Sequence, residues 1–155
     1  LPGGLRRTTL SLNSTAITIG DNASLGVGVL IYTFPAGSII VNRSSINVGV
    51  SLTTGTPTSD TPEIGLGTVI GSGANADLGS GAATMENIMA GSTTPVLANM
   101  GGTAELFTFA SGLVIETAGA HTVHVNMADG YHADHTETTA TITGTIILDW
   151  TFLGT

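Results

Sequence analysis

The chain has 155 residues, which suits one domain, and only 9% of them are charged, against about 25% in an ordinary soluble domain. It has no lysine and three arginines against eleven carboxylates, and the resulting net charge of −8 argues against binding to nucleic acid or to an anionic membrane. Cysteine is absent, which excludes disulfides, thiolate metal sites and cysteine nucleophiles. We expect neighbouring copies or a larger assembly to cover much of so uncharged a surface.

The first seven residues, LPGGLRR, are predicted to form an extended N-terminal arm. This segment combines two glycines with the only adjacent pair of arginines in an otherwise acidic chain, so it could dock onto an acidic partner surface. We therefore take Leu5, Arg6 and Arg7 as candidate partner contacts, the alternative being a disordered terminus. The start has neither a signal-peptide pattern nor an initiating Met, so we expect a processed or trimmed chain.

Residues 8–155 are predicted to form a single all-β domain. Thr, Val and Ile favour strands, 22 glycines punctuate them, and helical periodicity is almost absent. The strands GVGVLIYTF and GSIIV flank Pro35-Ala36-Gly37, a turn signal that predicts a hairpin or a tight corner. Further strands are SINVGVSL, GLGTVIG, AELFTFA, GLVIET and HTVHVNM. The total of about eight predicts a jelly-roll-like antiparallel β-sandwich with long Gly/Ser/Thr-rich loops.

A long stretch, about residues 53–103, is rich in Gly, Ser, Thr and Pro and has few apolar anchors. Within it, AATMENIMAG (residues 82–91) is compatible with one short helix. Loops of this length are uncommon inside compact domains and usually carry a role, so we expect an extended loop that covers a neighbour. The alternative is a surface loop without a role.

The segment DGYHADHTE, residues 129–137, holds two of the four histidines. His132, Asp134 and His135 could ligate a metal, since imidazole and carboxylate are competent ligands, but their spacing matches no zinc or EF-hand motif. We favour a polar connection that leads into the last strand, with metal binding as the alternative. Upstream, His121 and His124 differ by three positions, so in a strand they point to opposite faces.

No catalytic pattern is present in the sequence. No serine has a GxSxG context, and aromatic residues, at 5%, are too few to wall a groove for glycoside hydrolysis. Gly65, Gly67 and Gly71 give GxGxxxG without a βαβ unit, which does not match a nucleotide site. We therefore expect no enzymatic activity and no cofactor.

The clearest predicted strand is the C-terminal TTATITGTIILDWTF, because it alternates over its whole length. One parity is almost entirely apolar and the other is mostly Thr, so one face lies in the core. The candidate core residues are Ile142, Ile146, Leu148 and Trp150. Trp150 is interpreted as a core residue and not as a platform for stacking sugars.

Two segments, YTFPAGSIIVNRSSINVGV and TPEIGLGTVIGSGANADLGSGAATM, combine an apolar strand, PAG, a second strand, a Gly-rich xxIGxG strand and ADL. Over about residues 27–90 and the C-terminal strand, the chain resembles small virion proteins of tailed bacteriophages, in particular jelly-roll head decoration (cement) proteins. The resemblance implies a protein on the outer surface of the capsid, often a homotrimer, that bridges subunits of the shell.

The partners expected on this hypothesis are the major capsid protein and further copies of the chain, with no nucleic acid and no membrane. One alternative is a tail, fibre or minor virion protein. Another is a carbohydrate-binding, adhesin-like β-sandwich, which would need exposed aromatic side chains or calcium.

Overall fold

The computed structural model describes residues 3–19, 26–52, 63–75, 77–93, 105–109, 113–115, 119–128 and 138–154. These residues form strands β1 (Leu5–Ile19), β2 (Gly26–Thr33), β3 (Ser38–Leu52), β4 (Glu63–Gly67), β5 (Met89–Thr93), β6 (Glu105–Phe109), β7 (Leu113–Ile115), β8 (Thr122–Ala128) and β9 (Thr138–Gly154), and a 3-10 helix (Ala83–Met85). In this part of the chain no helix is long and apolar enough to cross a bilayer.

The strands form two antiparallel sheets that enclose one core. The five-stranded sheet has the order β1-β9-β3-β6, with β7 also on β3, and the four-stranded sheet has the order β2-β8-β4-β5. Because β6 and β7 pair with successive parts of β3, they act as one interrupted strand. The pairs are then nested, β1 with β9, β2 with β8, β3 with β6 and β7, and β4 with β5, as in a jelly roll. The predicted all-β, jelly-roll-like sandwich is confirmed.

The core lies between the sheets and is filled by alternate residues of each strand. The four candidate core residues of β9 are buried, with Ile142, Ile146 and Leu148 at 0% exposure and Trp150 at 3%. The Trp150 Nε1–H donates to Thr8 Oγ1 at 3.0 Å, so its one polar group is satisfied. Its ring also packs edge-on against Phe34, with the centroids 5.1 Å apart.

The Pro35-Ala36-Gly37 turn is a corner between sheets and not a hairpin within one sheet, because β2 and β3 lie in different sheets. Gly37 has φ +124°, a conformation that side-chain-bearing residues rarely adopt. A Cβ at this position would also meet the Phe152 ring and the Gly154 carbonyl oxygen. The corner therefore requires glycine on two independent grounds.

The stretch predicted as a long loop, about residues 53–103, contains β4, the 3-10 helix and β5. The connection between β4 and β5, described at residues 68–75 and 77–88 and called the cover segment below, packs on the outer face of the four-stranded sheet. Asn126 of β8 fixes it: Oδ1 accepts from the Gly71 N–H at 2.7 Å, and Nδ2 donates to the carbonyls of Val69 and Met85 at 2.8 and 2.6 Å. A side chain from a distant strand thus adds polar anchors to the apolar ones that the segment itself buries, Leu78, Met85 and Ile88.

The N-terminal residues of the predicted arm also belong partly to a sheet. Strand β1 begins at Leu5, and residues 5–7 pair with Thr151, Trp150 and Asp149 of β9. Before it, the Gly3 N–H donates to the Phe152 carbonyl at 2.7 Å. Pairing extends this far because β9 runs to Gly154 and offers backbone partners to the first residues of the chain.

Candidate functional site

The outer face of the five-stranded sheet carries a row of three charged side chains. Asp149 of β9 lies directly between Arg7 of β1 and Arg43 of β3 in the strand register. Residues directly opposite one another on neighbouring strands point to the same side of a sheet. Because Leu148 and Trp150 point into the core, Asp149 and both arginines point outward.

A β-bulge in β3 brings Arg43 into this row. Val41 pairs with Trp150 and Arg43 pairs with Asp149, so Asn42 is an extra residue between two successive partners on β9. The Asn42 Nδ2 donates to Thr151 Oγ1 at 2.9 Å, which uses its side chain within the sheet. In a regular ladder Asn42, and not Arg43, would lie opposite Asp149.

Arg7 and Asp149 form a bidentate ion pair. The Arg7 Nε donates to Oδ1 at 2.7 Å and Nη2 donates to Oδ2 at 2.8 Å. The hydrogen bonds from Arg7 lower the pKa of Asp149, and the charges of Arg7 and Arg43 lower it further, while partial burial opposes them. Asp149 in turn raises the pKa of Arg7. Asp149 is therefore ionised at neutral pH and its charge is balanced by Arg7.

Arg43 differs from Arg7 in having unused hydrogen-bonding capacity. It is exposed, and it makes no hydrogen bond or ion pair with any residue that the structure describes. Two guanidinium groups beside one carboxylate leave this spot locally positive on a chain of net charge −8. Arg7, Arg43 and Asp149, with Ser45 and Ile147, line an open concavity of about 220 Å³. The arrangement can accept a second carboxylate.

Large apolar side chains lie on one side of the concavity along the strands. Leu5 is 71% exposed and lies opposite Thr151 on the row next to Arg7. Val114 is 48% exposed, and its register opposite Ile40 places it in the same outward row as Leu5 and Thr151. Leu153 is 44% exposed and is the extra residue of a bulge between the pairs Ser38–Gly154 and Ile39–Phe152. We call this surface the open face; its residues are Leu5, Arg7, Ile40, Arg43, Ser45, Val114, Ile147, Asp149 and Leu153. A mixed apolar and charged patch of this kind is typical of a protein-binding surface.

The structure separates Arg6 from the open face. Arg6 pairs with Trp150 in the register and so points to the other side of the sheet. Its guanidinium carbon lies 5.2 Å from the centroid of the Trp150 ring and 5.9 Å from that of Phe152. Arg6 therefore covers the rim of the core through cation–π contacts. Leu5 and Arg7, by contrast, lie on the open face, where partner contact stays a prediction.

Sequence reasoning missed Arg43 and Asp149 as site residues. Asp149 interrupts a face of the last strand that is otherwise mostly Thr, and Arg43 is the one arginine outside the N-terminal segment. Those two exceptions are the signals that could have found them. Their proximity to Arg7 was hidden because 142 positions separate Arg7 from Asp149.

The candidate metal ligands His132, Asp134 and His135 lie outside the described residues. Within the described ranges, no cluster of three or more His, Asp or Glu side chains could hold a metal ion.

His124 of β8 has a buried imidazole atom without a partner. The residue is 9% exposed, and Nδ1 makes no hydrogen bond in the structure. Burial lowers the pKa of His124, and an interaction with the Gly67 backbone partly opposes that effect. The residue pairs with Leu30 and Gly67 on the two neighbouring strands. His124 is therefore a neutral, packed side chain at neutral pH.

No protein-family model matches the chain, and no curated protein matches it. Among solved structures it is similar to a chain of the cyanophage Pam1 capsid asymmetric unit, at 16% identity and a TM-score of 0.46, over 98% of this chain and 87% of that one. It is similar to the infectious bursal disease virus VP2 subviral particle at 14% identity and a TM-score of 0.41, over 94% of this chain and 32% of that one. It is similar to the 60-mer BFDV capsid protein at 8% identity and a TM-score of 0.38, over 99% of this chain and 96% of that one. At these identities and TM-scores the similarities assign no function to the chain.

Proposed function

We propose that this protein is a structural component of a virion, which decorates the outside of a phage capsid as a homotrimer and bridges subunits of the shell. The observation that carries the proposal is the open face, an outward sheet surface with exposed Leu5, Val114 and Leu153 beside a guanidinium group of unused capacity. Apolar side chains exposed together favour burial in a complex.

The composition supports the same role. With 9% charged residues and 41% hydrophobic residues, the chain has little polar surface with which to remain isolated in water. A lattice supplies many copies of the same contact, and modest individual contacts then add up through avidity. The role is mechanical: it stabilises the shell and involves no catalysis and no cofactor.

The N-terminal residues supply a second, separable contact in this proposal. Removing residues 1–4 leaves β1 and the Arg7–Asp149 ion pair intact, whereas removing residues 1–7 takes away both Leu5 and that pair. The shorter deletion removes the Gly3–Phe152 hydrogen bond but none of the candidate contacts Leu5, Arg6 and Arg7, so the melting temperature should change little and a loss of attachment would assign a contact to residues 1–4. Unchanged attachment would eliminate residues 1–4, and not Leu5 or Arg7, from the proposal.

The deciding experiment is quantitative mass spectrometry of particles purified from the source of the protein, with its copy number scaled to the major shell protein. Hundreds of copies per particle would support a role over the whole lattice. A handful would indicate a tail, fibre or minor virion protein instead. Absence from particles would overturn the proposal and return attention to a carbohydrate-binding β-sandwich, for which a glycan array is the direct assay.

A further inference from the structure

We infer that the concavity on the open face binds a carboxylate of a partner chain, an Asp or Glu whose apolar neighbours pack against Leu5, Val114 and Leu153. The inference deepens the proposed function, on which it rests for the identity of the partner as a shell subunit. It concerns one side chain above all, Arg43, because that guanidinium lies in the concavity without a partner among the described residues.

The geometry of the row favours a carboxylate over other anions. A guanidinium presents N–H groups in a planar fork that matches the two oxygens of a carboxylate, and Arg7 already makes this bidentate contact with Asp149 in the same row. After that pairing, the row retains a single unbalanced positive charge. One carboxylate neutralises it, whereas a phosphate dianion would leave a negative excess on an already acidic protein.

The bulge at Asn42 supports a binding role because it places a second arginine beside an aspartate that Arg7 already satisfies. Arg7 alone is enough to balance the charge of Asp149. β-Bulges are over-represented next to functional sites, where they change the direction of a side chain. The two side chains differ accordingly: Arg7 forms an ion pair within the chain, whereas Arg43 makes no hydrogen bond or ion pair with any residue in the described ranges.

The net charge of the chain would favour one orientation of the protein relative to an acidic partner. With a net charge of −8, the protein repels an acidic partner over most of its surface. Two of its three cations line the concavity, so an acidic partner is attracted there.

The test uses the full chain and particles from the source that lack it, with half-saturation of attachment as the readout. Arg43→Gln should weaken attachment about tenfold or more, since a desolvated charge pair loses its cation. Arg43→Lys keeps the charge and loses the planar fork, so it should recover only part of the affinity. Arg6→Gln removes the same charge from the other side of β1 and should change half-saturation less than about threefold.

A second measurement guards against misfolding of the variants. Wild-type chain, free and attached, is treated with phenylglyoxal, and the modification of each arginine is followed by mass spectrometry; the absence of lysine simplifies the assignment. Arg43 should react faster than Arg7 in the free chain and become protected on the particle. Protection of Arg43 in free, self-associated chain would instead assign the contact to a second copy and overturn the inference.

The outcomes for the inference and for the proposed function are distinct. If wild-type chain attaches and Arg43→Gln attaches equally well, the carboxylate site is wrong and the decoration role stands. If Arg43 stays as reactive on particles as in solution, the site is likewise wrong. If wild-type chain does not attach at all, the decoration role fails, and the inference fails with it because the partner that it names is absent.

Discussion

The cover segment packs over part of the outer face of the four-stranded sheet and leaves Leu30, Val69 and Ile70 exposed there, whereas the outer face of the five-stranded sheet presents the open face. On the first, Asn126 uses its amide oxygen and both amide hydrogens to hold the cover segment. On the second, Arg7 forms the ion pair with Asp149, and Arg43 beside them makes no hydrogen bond or ion pair with a described residue. Each face carries a polar side chain within a strand, but only on the four-stranded sheet do described residues of the chain use all the neighbouring hydrogen-bonding groups.

This difference indicates where an assembly contact belongs. A buried polar group must be hydrogen-bonded, and Asn126 meets that requirement with backbone groups of the cover segment. Gly28 lies beneath the same contact, and a Cβ there would strike the Asn126 side chain and the Gly71 amide. The covered face is therefore closely packed and leaves no room for a partner at this point. A partner fits better on the face whose hydrogen-bonding capacity is incomplete.

The largest expected effect comes from the core that both faces share. Trp150→Ala should lower the free energy of unfolding by about 3–5 kcal/mol, because it removes a buried aromatic ring and leaves a cavity. Leu153→Ala, on the same strand but 44% exposed, should change it by less than about 0.5 kcal/mol. Chemical denaturation measures both. Equal effects would show that Trp150 does not hold the two sheets together.

The covered face can be opened selectively by replacing its central amide. Asn126→Ala leaves one amide hydrogen and two carbonyls of the cover segment without their partner, which should cost about 3 kcal/mol and speed hydrogen exchange over residues 68–88. The matched control is Asn47→Ala, an exposed asparagine of β3. If both variants exchange and unfold alike, the cover segment is held by something other than Asn126.

Part of the strand pattern could be predicted from sequence because it is local, whereas β1 and β5 were not predicted as strands. Alternation over β9 predicted its buried residues, and Pro35-Ala36-Gly37 predicted a turn, either a hairpin or a tight corner, of which the structure shows the corner. Both signals are read within a few residues, and the jelly roll follows from the number of such strands.

The cover segment and the charged row could not be predicted because each depends on residues far apart in sequence. Asn126 holds backbone groups 41, 55 and 57 positions away, so the stretch around them resembles an unstructured loop when read alone. Arg43 reaches its row only through a one-residue bulge, which shifts every later partner and which alternation does not reveal. Side chains that act across the sandwich are invisible to a local pattern.

A smaller effect, on the sheet that carries the cover segment, is expected from His124. Its pKa in the folded state is lowered, so the unfolded chain binds a proton first as the pH falls below the ordinary value of 6.5. Stability should therefore be constant above about pH 7 and fall below it, by about 1.4 kcal/mol for each unit between the two pKa values. His124→Gln should flatten the melting temperature between pH 7 and 5, with His121→Gln as the control. If the melting temperature of His124→Gln still falls between pH 7 and 5, other titrating groups cause the decrease.

The smallest expected effect is on the melting temperature, and its dependence on pH and salt distinguishes the ion pair of the open face from the cover segment. The pKa of Asp149 is lowered in the folded state, chiefly by its hydrogen bonds from Arg7, so the ion pair stabilises the fold above the ordinary value of 3.8 and that contribution is lost as the pH falls below it. Asp149→Asn should lower the melting temperature slightly at pH 7 and converge with wild type near pH 2. Because Arg7 is largely exposed, added salt should shrink the difference at pH 7. The control is Asp77→Asn in the cover segment. If the melting temperatures of Asp149→Asn and wild type differ by the same amount at every pH and salt concentration, packing and not charge accounts for the role of Asp149.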